Sequence, residues 1–363
     1  MNLAITELRR QPTRFAVAGI VLTFLAVLLL FLGGLLDGLY LGSTGAIRAQ
    51  DAKAIVYSAD ARDSFLRSRI TAEERARVES VPGVSAVGGI GFVLLGAQVP
   101  GQSDLADVAV AGYEIPPNGV PDLPATGSGW ADSRLEAFGV DKGETLLVGP
   151  AASPITIVGF VDDTNYLLQG TIWVDLATWR QVQNANRPDA FVTDDIVQAL
   201  VVQGSGDLAT AIDAATAGAT ASLTRDDAVL ALPGVKEQKA TFNQIIYSTL
   251  VVVLAIVGLF FSLLTLERTG LYGVLKAIGS SSRRLFIGVV LQAVIVAAIA
   301  FVIGSLIVVA LSAVLPAELP LQLTPSRFVF TAIGLVVAAI IGSAISLRRV
   351  IRIDPASAIG SAT

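Results

Sequence analysis

The chain of 363 residues is 53% hydrophobic and only 15% charged, against roughly 25% charged residues in an average soluble protein, so much of its apolar surface must face something other than water. It has no cysteine, no histidine and one methionine, Met1, which excludes a disulfide framework or thiolate metal site and removes the commonest ligands for zinc, copper and haem iron. The net charge of −5 hides an asymmetry: residues 38–241 carry 25 acidic and 14 basic side chains, and the remainder 5 acidic and 11 basic, a separation that points to two environments.

In chain order, residues 1–14 read as an amphipathic elbow on the inner membrane surface. Leu3, Ile5 and Leu8 supply its apolar contacts, Arg9 and Arg10 can reach lipid phosphates, and Pro12 separates it from the first span. A frayed start to that span is the alternative. Phe15–Leu36 then runs 22 residues without a charge, enough to cross a hydrocarbon core of ~30 Å at ~1.5 Å per residue. A cleavable signal peptide would have an apolar run of only ~7–15 residues followed by a small-x-small site; here the run ends Leu36-Asp37-Gly38-Leu39-Tyr40.

Residues 38–241 form a large mixed α+β insertion. Residues 53–57, Val84–Leu95, Asp107–Tyr113, Thr145–Val148, Ile155–Phe160, Thr171–Val174, Ile196–Val202 and Ala221–Leu223 read as strands. Thr71 and Glu74 make a capping box opening a helix to about Ser80, and Asp207–Ala217 reads as a second helix. Gly101–Trp130, apart from the strand at 107–113, reads as Pro/Gly-rich loop. The order suggests a mixed sheet with a second, β-rich subdomain inserted near 114–190. Without histidine no Ser-His-Asp or ordinary zinc site can be built. Asp162-Asp163 and Asp194-Asp195 could meet a hard cation, but solvated loop carboxylates are the commoner outcome.

Three further spans are expected over 242–266, 286–315 and 328–347, separated by a loop at 267–285 and a Pro-rich turn at 316–327. Arg9, Arg10 and Arg14, then Arg268, Lys276, Arg283 and Arg284, then Arg348, Arg349 and Arg352 flank the spans on one side. The positive-inside rule therefore puts both termini, the 267–285 loop and the 348–363 tail in the cytosol of a plasma-membrane protein. Residues 38–241 then lie in an extracellular or periplasmic space. In the 267–285 loop, Leu271, Val274, Leu275 and Ile278 recur at helical spacing, giving a short helix that docking into a partner's groove or onto the bilayer would stabilise. No G-x-x-x-x-G-K-[ST] phosphate loop occurs; Gly139–Gly143 has the wrong spacing. The chain is thus not expected to hydrolyse ATP by itself, and no nucleic-acid partner is expected.

GVLKAIGSSSRRLF (273–286), RRVIRIDPASAIG (348–360) and VDKGETLLVG…ITIVGFVDDTNYLLQGTIWVD (140–175) resemble the corresponding segments of the FtsX/MacB-like permeases of ABC transporters. The order of one span, a large external domain and three spans is similar too. Within that family LFLGGLLDGLY (30–40), VDDTNY (161–166), VLKAIG (274–279), LQ (291–292) and IDPASAIG (353–360) look most like the HrtB-type haem exporters. The resemblance implies a homodimer with two copies of a separate ABC ATPase subunit, which would consume the ATP. Coupling would pass through the helix at about 270–279, with Leu271, Tyr272, Val274, Leu275, Lys276 and Ile278 as contact residues. A Glu usual in the family just before Gly273 is absent, Leu271 and Tyr272 standing there, and a Tyr usual before span two is replaced by Val235. No covalently bound cofactor is implied. Haem as substrate would need Tyr, a carboxylate or apolar contact, and Asp37, Tyr40 and Tyr247, near the outer ends of spans one and two, are the candidates; interfacial anchoring is the other role open to such tyrosines. Export of a lipid, lipoprotein, peptide or antibiotic, and non-transporting activation of a cell-wall hydrolase, are the alternative functions.

Overall fold

The computed structural model describes residues 12–267, 274, 278, 281–316 and 319–351; the expected elbow helix at 2–11 lies outside them. The described residues divide into two compact units, one formed by the chain up to Gly38 and from Lys239 onward, the other by Leu39–Gln238.

The first unit contains four helices long and apolar enough to cross a membrane. They belong to α1 (Pro12–Arg48), α6 (Val235–Glu267), α7 (Ser282–Ser312) and α8 (Pro325–Ile351). All four spans expected from the sequence are present, but α1 continues to Arg48, and α6 begins at Val235 rather than 242. Apolarity alone marks only the run to Leu36, whereas the backbone stays helical to Arg48 despite Gly42 and Gly45, with Ala46 and Ile47 fully buried in that continuation. Small residues let these helices approach closely, as in other membrane bundles. A Cβ on Gly342 of α8 would stand 2.9 Å from the Leu254 carbonyl of α6, and one on Gly304 of α7 would stand 2.9 Å from the Ala26 Cβ of α1. Leu22, Ala26 and Leu29 are buried within the unit with Val253, Phe261 and Ala293, while Phe24, Leu259 and Leu306 face outward, as a lipid-exposed surface requires.

The Leu39–Gln238 unit is built on nine strands among the described residues: β1 (Ala54–Ser58), β2 (Val84–Gln98), β3 (Leu105–Tyr113), β4 (Ser128–Asp132), β5 (Thr145–Val148), β6 (Ser153–Val161), β7 (Gly170–Asp175), β8 (Ala199–Gly204) and β9 (Thr220–Leu223). Their order is β3-β7-β4-β6-β5-β2-β8-β1-β9, and β2 also pairs with β3. Six strands therefore close a ring, β2-β3-β7-β4-β6-β5, and a four-stranded sheet, β2-β8-β1-β9, shares β2 with it. The 15-residue β2 serves both, pairing with β8 over Val84–Ile90 and with β3 over Ile90–Gln98.

The insert expected near 114–190 supplies β4 to β7, but its ring is completed by β2 and β3 from before residue 114. The division therefore falls within β2 instead of at an insertion boundary. Two elements there escaped the sequence reading. Strand β4 sits inside the stretch read as loop, its sequence Ser-Gly-Trp-Ala-Asp being too short and Gly-containing to show alternation. Helix α3 (Leu176–Asn186) follows directly on β7, capped by Asp175. Helix α3 buries Trp179 against β2 and β3, and the cross-strand pair Gly91 and Gly112 makes room for it: a Cβ at either would lie 2.3 or 2.5 Å from that side chain. Helix α2 (Ala72–Glu79) begins at the expected capping box, with both reciprocal bonds formed, and α4 (Leu208–Ala215) is capped by Asp207. A short helix α5 (Arg225–Ala231), capped by Thr224, was not foreseen.

Candidate functional site

Asp37 terminates the apolar stretch of α1, where a carboxylate needs a partner to be tolerated. The partner is Arg327, 290 positions further along. Its place is fixed locally by Leu323-Thr324-Pro325-Ser326-Arg327, which carries its own helix-start chemistry. Pro325 is pre-set for a first helical position, and the Thr324 Oγ1 accepts the Arg327 backbone N–H at 3.3 Å. Thr324 uses the same hydroxyl to donate to the Asp37 Oδ2 at 2.8 Å. Arg327 donates to Asp37 twice, Nε to Oδ2 at 3.1 Å and Nη2 to Oδ1 at 2.5 Å, with the two side chains 15% and 19% exposed. A bidentate, charge-assisted pair at that burial is stronger and more directional than a surface ion pair.

The stem of Arg327 lies across Gly33 of α1. A Cβ at Gly33 would come within 2.8 Å of the Arg327 Nε, and one at Gly34 within 2.9 Å of a Leu323 methyl. The Gly34 carbonyl also accepts the Gln322 N–H at 3.0 Å. The glycines of 30–40 thus serve close packing of the 320–327 segment on α1. Beside Arg327 is a cavity of about 340 Å³ lined by Asn243, Ile246 and Tyr247 of α6 and Ser326, Arg327 and Phe330 of α8. It combines apolar walls with a few polar groups, the composition and lower size range of small-molecule sites.

Of the three residues singled out for substrate, Tyr247 lines this cavity and Asp37 stands behind Arg327, holding it. Tyr40 instead belongs to the Leu39–Gln238 unit and packs against its aromatic core with Leu167 and Trp130. Arg327, Thr324 and Asn243 were missed as site residues. The available signal was a lone basic residue in the last turn and a lone acid at the end of span one, two uncompensated charges expected at one membrane level. Of the coupling residues, Leu271, Tyr272, Leu275 and Lys276 lie outside the described residues. Val274 is helical, and Ile278 donates its N–H to the Val274 carbonyl at 3.0 Å; both side chains are exposed.

The VDDTNY segment has a definite role in the second unit. Its loop grips the end of α1: Ala46 N–H donates to the Asn165 carbonyl at 2.9 Å, while Leu167 and Leu168 donate to the Ser43 and Gly42 carbonyls at 3.0 and 2.9 Å. Arg48 pairs with Asp163 at 2.6 Å. Behind the loop Tyr166 stacks on Phe92, their centroids 4.2 Å apart, within a cluster that includes Tyr57, Phe65 and Trp173. Burial pushes the Tyr57 and Tyr166 phenols well above their ordinary value, so neither ionises near neutrality.

Four apolar helices, an inserted β-ring domain and a charged cavity among the helices describe a membrane protein with a solute-sized site. Residues 243–355 match the family model FtsX-like permease C-terminal. A protein of Staphylococcus epidermidis named as a hemin transport system permease, HrtB, is 21% identical over 368 residues, covering 99% of both chains. An uncharacterized ABC transporter permease of Mycobacterium bovis is 27% identical over 371 residues, covering 98% of both. Among solved structures, the extracellular domain of the noncanonic ABC-type transporter YknZ from Gram-positive bacteria covers 48% of this chain and 100% of its own, at 12% identity and a TM-score of 0.33.

Proposed function

We propose that this chain is the membrane subunit of an ABC-type exporter that moves an amphipathic or hydrophobic molecule, with haem the first substrate to test. In this reading two copies pair in the plasma membrane and two separate ATPase subunits dock below. Both termini face the cytosol and residues 38–241 lie outside. The observation that carries it is the cavity of about 340 Å³ among the membrane helices, with an apolar wall and an arginine at one side, suited to a molecule with unlike ends. The FtsX-like match, the name of the Staphylococcus relative and the basic flanks of the spans support the same reading.

The test uses the full chain co-expressed with the ABC ATPase encoded beside it. Haemin titration is expected to give a Soret shift that Tyr247→Phe diminishes; no shift removes haem as the substrate. Deleting Leu271–Ile278 is expected to abolish co-purification of the ATPase without affecting membrane insertion, and retained co-purification refutes the docking role. Because the chain has no cysteine, single cysteines at Arg349 and at the exposed Lys142 can be probed with a labelling reagent from either side of the membrane. Labelling of Arg349→Cys from outside refutes the orientation.

A further inference from the structure

We infer that Arg327 anchors an oxyanion on the transported molecule and that Asp37 is the residue that positions it. The cargo class is then a carboxylate or phosphate on an apolar body. This rests on reading the cavity as the cargo site. Asp37 takes the guanidinium side-on, through Nε at 3.1 Å and Nη2 at 2.5 Å. The stem is covered by α1, since it lies across Gly33. Among the described residues no acceptor meets Nη1. The end-on edge, formed by Nη1 and the second hydrogen of Nη2, is therefore what the residue has left to offer. Arg327 lines the cavity, whereas Asp37 does not. Two parallel N–H donors in one plane match a carboxylate or phosphate bidentately.

The rest of the lining fits the same ligand. Asn243 and Ser326 add hydrogen-bonding groups beside the cation, and Ile246, Tyr247 and Phe330 supply apolar wall. Asp37 has a double effect. It fixes the guanidinium plane, which lowers the entropy lost on binding, and its negative charge offsets part of the attraction for an incoming anion. A site that must release its cargo needs such a limit on affinity.

Binding is measured with the full chain and its ATPase partner in phosphatidylcholine nanodiscs, using haemin, haemin dimethyl ester and a fluorescent phosphatidylglycerol as probes. The wild type is expected to bind haemin at least tenfold more tightly than the diester. R327Q should erase that preference by weakening haemin alone, R327K should keep part of it, and D37N should reduce it less than R327Q. Because R327Q leaves Asp37 without its partner, the D37N/R327Q double variant, lacking both charges, is measured alongside and should show no preference. Arg327-dependent binding of phosphatidylglycerol without haemin binding supports the anchor and removes haem as cargo. Equal binding of haemin and its diester, unchanged in D37N/R327Q, overturns the anchor and leaves the haem reading standing. Absence of Arg327 dependence for every probe overturns it as well.

Discussion

Gly45→Ala should destabilise the inserted domain even though alanine is the better helix former. Gly45 lies within α1, so the substitution taken alone stabilises by about 0.8–1 kcal/mol. Against that, its Cβ would stand 2.5 Å from the Asp163 carbonyl oxygen, 2.8 Å from the Asn165 nitrogen and 2.9 Å from the Asp163 carbonyl carbon. These are main-chain atoms and cannot rotate aside. The 163–168 loop would have to withdraw, straining or breaking the three backbone hydrogen bonds that join it to Gly42, Ser43 and Ala46. Overpacking costs about 1–3 kcal/mol and each lost bond about 1 kcal/mol, so with one bond lost and the propensity gain subtracted the net expectation is a loss of about 1–3 kcal/mol. Gly42→Ala on the same helix is the control. Its Cβ meets a Leu168 methyl at 3.0 Å and Arg134 Nη1 at 3.5 Å, both ends of movable side chains, and the propensity gain should roughly cancel the contact.

The readout is selective because Trp130, Trp173 and Trp179 are the three tryptophans of the chain and all lie in the inserted domain. Intrinsic fluorescence during urea titration of the full chain in nanodiscs therefore reports that domain. Gly45→Ala should lower the midpoint clearly and Gly42→Ala should leave it near wild type. If Gly45→Ala were as stable as Gly42→Ala, the close-packed clasp would be refuted. Arg48→Ala adds a separate check. Asp163 is 56% exposed, so loss of that ion pair should cost at most about 1 kcal/mol, the backbone bonds being the stronger part of the grip.

Thr71→Ala removes the hydroxyl that accepts the Glu74 N–H at α2, while the Thr71 N–H keeps its bond to the Glu74 carboxylate; it should cost about 1 kcal/mol, seen as faster amide exchange across Ala72–Glu79 and a lower urea midpoint. Gly91→Ala brings a Cβ within 2.3 Å of the Trp179 side chain, and should destabilise by about 1–3 kcal/mol with an altered emission maximum; an unchanged spectrum and midpoint would contradict that packing. Asp132 has its carboxyl held above the ordinary 3.8 chiefly by burial, with Asp162 adding to the effect, while bonds from Arg134 and Thr164 pull the other way. The folded state thus holds this proton more tightly than the unfolded state, so its contribution to stability is full below pH 3.8 and is lost as pH rises from there through the raised value. Asp132→Asn should flatten urea stability against pH across that window, and an identical slope in the variant would refute the assignment.

What the sequence made legible is what one-dimensional physics controls. Length and apolarity located all four spans, and the reciprocal Thr71 and Glu74 chemistry located α2 to within a residue. Strand β5 was read with its observed ends because a short apolar run bounded by turn-forming residues is a local signal. Strand β4 was hidden, since Ser128–Asp132 owes its conformation to pairing with β6 and β7 rather than to its own residues. The continuation of α1 to Arg48 was hidden for a related reason. Ala46 and Ile47 are fully buried against the inserted domain, and hydropathy windows tuned to lipid do not register burial in protein. The ring closure depends on β2 pairing with different strands along its two halves, which no local pattern encodes.

The candidate site shows the same limit in a more useful form. Asp37 was noticed as a carboxylate at a span end, and Tyr247 as an aromatic at a similar level. Their relation became visible only through Arg327, which touches one and shares a cavity with the other. Yet the need for Arg327 was implicit: a carboxylate at the edge of hydrocarbon requires a cation or several donors, and the 316–327 turn holds one basic residue. The glycine-rich run before Asp37 carries the complementary information. Gly33 and Gly34 are spaces on α1 shaped by what packs there, the stem of Arg327 and the side chain of Leu323. In a polytopic chain, a lone acid beside paired glycines is therefore a prompt to seek the lone base on another span, and the cavity that base faces is the place to look for cargo.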